Sequence, residues 1–180
     1  MQTFEELHHQ LLNWHRAKHL FDGDNLPSNK SDEYLSQLIK EILLPLTKHF
    51  GAVNITYGFT SPQLTRYIQR LSPAGTAPNL DQHACAEFNS KGSEICSRTG
   101  AACDFIVHGY EEQMHLVAQF ICQQLNFDKL YFYGRNRPIH ISISEQPLNH
   151  LQIMQQSENG RRYPGKKAFG PAATTLATQL

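Results

Sequence analysis

The chain has 180 residues, 40% of them hydrophobic and 18% charged, which suits one folded domain with a sizeable core and does not suit a disordered chain. Sixteen basic residues balance sixteen acidic ones, so global charge calls for neither nucleic acid nor an anionic membrane, and any such contact would rest on a local patch. No run of about 18 apolar residues offers a membrane span. The opening MQTFEELHHQLLNWHRAKH lacks the basic start, apolar centre and cleavage site of an export signal, so the expected location is cytoplasmic. Cys85, Cys96, Cys103 and Cys122 are then expected as reduced thiols. Three of them lie near His83, but no CxxC pair supports a Cys-rich zinc site.

In chain order, Phe4, Leu7, Leu11 and Trp14 recur at helical spacing over 3–19. Residues 22–29 read as a loop. Ser31 is the expected cap of a second helix reaching about His49, with a kink or early end at Pro45. After Gly51, the β-branched and aromatic 53–59 reads as a strand, and Pro62 opens a short helix capped by Thr60 or Ser61. Residues 72–79 read as a Pro/Gly/Ala loop. A long irregular stretch fills 80–99, and loops of this length in a compact domain are often functional. Ala101–Val107 reads as a strand, 110–125 as a helix, 129–133 with 139–144 as a hairpin, and 151–155 as a last strand. Residues 1–160 are expected to form a single domain, with 1–50 as an N-terminal helical layer and 51–160 as the core. The basic, weakly periodic 161–180 is expected to be a flexible tail. The implied class is α+β: a small, mostly antiparallel sheet with helices packed on one side, plus two N-terminal helices.

Three segments suggest one constellation. Residues 54–64, NITYGFTSPQL, run from strand through turn into helix. In Gly100-Ala101-Ala102-Cys103-Asp104 a lone carboxylate stands among small residues, and a carboxylate placed so needs a cation or several donors to offset its desolvation. In Arg137-Pro138-Ile139-His140-Ile141-Ser142 the imidazole alternates with isoleucines, so it faces away from them.

In this order the segments resemble the zinc D-alanyl-D-alanine peptidase family, which has the hedgehog/DD-peptidase fold. The resemblance covers roughly residues 50–145. It implies one Zn2+ held by His83, Asp104 and His140, with a fourth position open for water. It also implies a hydrolase in which metal-activated water attacks the amide of a peptide or other small substrate.

The chain departs from the family pattern at specific places. His83 and Asp104 are 21 positions apart, a spacing wider than the family's, which reads as an insertion over 85–98. Without that insertion His108 would be the nearest substitute ligand. Arg137 stands where the family has its catalytic carboxylate, and Thr60 where it has a substrate-binding arginine. Glu87, Glu145 and Asp81 are the remaining candidate bases, and Arg135 and Arg137 the candidate anion contacts.

Simpler roles stand beside these. His83 also fits an ordinary loop histidine, Asp104 a cap or buried acceptor, and His140 a solvent-facing strand residue. His8, His9, His15 and His19 fit a solvated helix face better than an i,i+4 chelate. Tyr131-Phe132-Tyr133 fits sheet core better than a base-stacking platform. Arg135, Arg137, Arg161, Arg162, Lys166 and Lys167 fit a phosphate patch or a solvated loop and tail. Two alternatives to the peptidase reading therefore stay open: a cytoplasmic metalloprotein of the same fold handling a nucleotide or nucleic acid, and a non-catalytic, metal-stabilised binding module.

Overall fold

The structure, a computed structural model, describes residues 2–71 and 82–180, so the loop expected over 72–79 and the candidate base Asp81 lie outside the described residues. Helix α1, Phe4–Lys18, starts at a capping box. The Thr3 side chain accepts from the Glu6 amide, and the Glu6 carboxylate accepts from the Thr3 amide at 2.8 Å. Helix α2, Asn29–Leu38, is capped by Ser28, three residues before the expected Ser31. It runs on through a π turn, Ile39–Leu43, into α3, Leu44–Phe50. Pro45 thus neither ends nor breaks the helix. It has no N–H to donate, and the π turn just before it re-registers the ladder, with the Leu44 amide bonding Ile39 O.

Strand β1, Val53–Tyr57, leads to α4, Pro62–Leu71, whose first turn is held by the Leu64 amide donating to Ser61 Oγ at 3.2 Å. Then follow a 3₁₀ turn at Gln82–Ala84, β2 (Ala101–Val107), α5 (Met114–Gln124), β3 (Lys129–Phe132), β4 (Ile139–Ile143), β5 (His150–Gln156), β6 (Arg162–Phe169) and α6 (Pro171–Ala177). The six strands form one sheet in the order β1-β2-β4-β3-β5-β6. All pairs are antiparallel except β3 with β5. The class is therefore α+β with a mixed sheet.

Alternation divides the sheet cleanly. Cys103, Phe105 and Val107 of β2, Ile139, Ile141 and Ile143 of β4, Leu130 and Phe132 of β3, and Leu151 of β5 join the helices in one buried apolar cluster. The opposite face carries the row Asp104, His140, Tyr131, Gln152 and Lys167, each paired with the next across β2, β4, β3, β5 and β6. Helix α1 covers the β1 edge. Gln2 exchanges hydrogen bonds with the Val53 backbone, and Gln10 accepts from the Ile55 amide, so side chains take up groups that an open edge would expose.

The flexible tail expected over 161–180 is replaced by β6 and α6. The strand eluded pattern reading because it is an outer strand exposed on both sides, with Pro164 next to a register shift against β5. Helix α6 is short, yet it buries Ala173, Leu176 and Ala177 in the core. Among the described residues no helix is long and apolar enough to cross a membrane.

Candidate metal centre

His83, Asp104 and His140 come from three separate segments, yet each offers a ligand atom within 4.8 Å of the others. Asp104 and His140 are direct cross-strand partners on β2 and β4, and His140 Nδ1 lies 2.8 Å from Asp104 Oδ1. Gly100, at the foot of β2, has φ +130°, and a Cβ there would stand 1.9 Å from Ile143 O.

His83 sits on the 3₁₀ turn, with Nε2 at 3.4 Å from Asp104 Oδ1. The chain leaving β1 holds it from two sides. The Thr60 amide donates to His83 O at 3.0 Å, and His83 Nδ1 bonds Gly58 O at 3.1 Å. A carbonyl can only accept, so Nδ1 carries the proton and the Nε2 lone pair faces the Asp104 carboxylate. Two acceptors so placed need a proton or a metal cation between them. The tautomer fixed by Gly58 O is the one a metal-ligating imidazole requires.

Both imidazoles are buried, while the Asp104 side chain keeps 28% of its exposure, so the group opens to solvent at the carboxylate. Burial acts to raise the Asp104 carboxyl. Its hydrogen bond with His140 and its contact with His83 outweigh it and hold the group well below the usual carboxylate range. An anionic oxygen and two imidazole nitrogens form a donor set that could hold a metal ion.

Tyr57 and Tyr131 flank the group; of the Tyr131-Phe132-Tyr133 run expected as sheet core, only Phe132 is in the buried core, and Tyr131 lies on the opposite face beside His140. The Tyr131 ring stacks on His140 at 4.9 Å and 19°, and the Tyr57 ring meets His83 edge-on at 4.8 Å. Tyr57 reaches this face through a register shift. Val53 pairs with Val107 and Ile55 with Phe105, but Tyr57 pairs with Asp104. The bulge gains one residue and turns Tyr57 from the core face to the metal face. Nothing in VNITY announces it.

The stretch 85–98, expected as an insertion, is pinned by a second constellation that sequence reading missed. Asp128 is fully buried. Its carboxylate accepts from Arg98 through both oxygens, from Gln82 Nε2 at 3.0 Å and from the Leu148 amide at 3.2 Å. Gln82 also donates to Ile143 O at 3.1 Å. The residue next to His83 is thereby tied to the core sheet. Burial acts to raise the Asp128 carboxyl, but Arg98 and Gln82 keep it below its ordinary value.

The other candidates are placed elsewhere. Glu87 accepts from the Ser28 amide and from Ser31 Oγ, joining the 85–98 stretch to the start of α2. Glu145 accepts from Tyr34 Oη. Neither belongs to the metal group. Arg135 and Arg137 are exposed on the β3–β4 turn, and Arg135 donates to Leu180 O at 3.1 Å. His108 is highly exposed and pairs with Glu111, so it does not substitute for His83. All four cysteines are free thiols, and none belongs to the metal group. The expected solvated histidine face of α1 is corrected at His15 and at His19, which is half-buried against Trp14. His15 is buried beside Trp14 and Phe21, where burial first and then Arg16 lower its pKa.

Comparison of the chain with descriptions of known families, with curated proteins and with solved structures returned no match.

Proposed function

We propose that this protein is a zinc-dependent hydrolase acting on an amide, of the kind that D-alanyl-D-alanine peptidases cleave. The supporting observation is the convergence of His83 Nε2, His140 Nδ1 and Asp104 Oδ1 from a turn and two strands, with the His83 tautomer set for ligation. When bound, the ion would lower the pKa of a water in its open position and polarise a carbonyl. The chain's own residues supply the rest. Asp104 contributes the anionic donor at the solvent side, His83 and His140 wall the group from below, and Tyr131 and Tyr57 fix the two imidazole planes.

A proton acceptor drawn from Glu87 or Glu145 would first have to leave the Ser31 or Tyr34 hydroxyl it now engages. Slow turnover is therefore the expected behaviour. The test is elemental analysis of the purified protein, together with hydrolysis of a peptide ending in D-Ala-D-Ala. Close to one zinc per chain, lost from His83→Ala, Asp104→Ala and His140→Ala alike, with peptide cleavage lost in parallel, is expected. Metal retained by all three variants sinks the site. Metal lost but no cleavage by the loaded wild type sinks the peptidase assignment and leaves the metal site standing.

A further inference from the structure

Charge is unevenly distributed along this neutral chain. Beyond Asp128 there are seven basic residues and only two acidic ones, Glu145 and Glu158, a surplus of five positive charges. That portion supplies β3 to β6. On the face that bears the metal group, these strands present Lys129, His150, Lys167 and Arg162. Lys167 and Arg162 are exposed. The Arg162 guanidinium lies 4.6 Å from the centre of the Tyr133 ring. Burial first, then Lys167 and Lys129, lower the pKa of His150, as expected in a positive local field.

Rings line the same face without a break. From His140 the series passes to Tyr131 at 4.9 Å, to His150 at 6.3 Å and to Phe169 at 4.4 Å, where the two rings are stacked at 12°. Phe169, at the end of the series, is 46% exposed. Lysines on an outer strand can by themselves serve to discourage pairing with another chain. They do not account for a cation at the Tyr133 ring or for an exposed aromatic ring continuing the series. Interleaved cations and ring faces along one face are what a flexible chain of bases and phosphates requires.

We infer that the β3–β5–β6 part of this face binds single-stranded nucleic acid, with its phosphates on Arg162 and Lys167 and a base on Phe169, along a path that leads to the metal group. The charge surplus selects a polyanion over a neutral glycan, which would use the rings alone. The rings select single strands over a duplex, whose bases are already stacked. This binding does not depend on the hydrolase reading, because it uses residues outside the metal group.

The test is fluorescence anisotropy of the full chain with labelled oligothymidylate and oligouridylate of about 20 nucleotides, at about 50 and 200 mM salt, with a chelator present. The expected result is binding of one or both strands that weakens steeply with salt. Arg162→Ala with Lys167→Ala should weaken it by about tenfold and reduce the log–log salt slope by about 1–2. Phe169→Ala should weaken it by several-fold with the slope unchanged. All three positions are exposed, and circular dichroism verifies that the variants fold. Absence of binding at the lower salt overturns the inference. So does equal affinity for a duplex, and so does indifference to Phe169→Ala. Salt-independent capture of a neutral chito-oligosaccharide in place of the oligonucleotides would assign the face to glycans. Because the metal is chelated throughout, none of these outcomes bears on zinc content or peptide cleavage.

Discussion

The two faces of the sheet are built from the same strands and obey opposite rules. On the helix-covered face the buried positions are apolar and interchangeable in kind: Cys103, Phe105, Ile139, Ile141, Leu130 and Leu151 contribute volume to one cluster. On the other face each position is particular, and Asp104, His140 and Tyr131 matter through the atoms they aim at one another. Packing tolerates substitution of similar volume, whereas a ligand set does not. Damage to the first face should therefore appear as lost stability, and damage to the second as lost binding.

The sharpest separation is expected from adjacent residues of β2. Asp104→Ala should lower metal affinity by more than about 100-fold, beyond what loss of a supporting hydrogen bond costs, and should lower the denaturation midpoint of the metal-free protein by less than the loss of a large core side chain does. Its neighbour Phe105 is fully buried. Phe105→Ala should destabilise the fold by about 3–5 kcal/mol in chemical denaturation, yet leave metal stoichiometry intact under conditions where the variant is folded. Equal loss of metal in both variants would erase the distinction between the faces.

Asp128→Asn tests a position that belongs to neither face. It leaves Arg98 without its anionic partner, and a loss of about 2–3 kcal/mol is expected, moderated because Arg98 is partly exposed. Its pH signature is distinct. The folded carboxyl titrates below its ordinary value of about 3.9, so its contribution is complete above about pH 4. That contribution is lost as pH falls through the lower, folded pKa. Urea titrations of wild type should therefore show stability declining on the acid side of pH 4, and the variant should lack this part of the decline. A parallel decline in both would remove Asp128 from the account.

The smallest expected effect is at Gly58. A Cβ there would meet Leu11 O at 2.3 Å and Trp14 Cδ1 at 2.7 Å. Gly58→Ala should cost about 1–3 kcal/mol by moving α1 away from the strand exit, and it should weaken metal binding more than a comparable insult to α6. Thermal melts with and without zinc measure both quantities.

Much of the core-facing half was legible in the sequence, because period-two alternation in AACDFIV and IHISI states both the strand and the face of each residue. The same rule put His140 opposite the isoleucines, and the resemblance of short motifs brought Asp104 and His83 to it. Features that override local pattern were not legible. The bulge that turns Tyr57 outward depends on its partner strand. The burial of Asp128 depends on Arg98, 30 positions earlier. Strand β6 has no apolar face to betray it. Pro45 misled for a related reason: a π turn absorbs what a regular helix could not.

The chain leaving β1 has a role larger than its three residues suggest. Gly58 O bonds the His83 ring, Phe59 O takes the Trp14 indole and the Asn25 amide, and the Phe59 amide reaches Leu11 O. One short segment thus joins the N-terminal helix, the loop that follows it and His83 of the candidate metal group. Thermodynamic linkage then works in both directions. An ion that favours the seated position of His83 must also favour docking of α1, to the same extent that a docked α1 raises affinity for the ion. Amide hydrogen exchange in α1 should accordingly slow on zinc binding, although no residue of that helix belongs to the ligand set, so the helix acts as a remote reporter of metal occupancy.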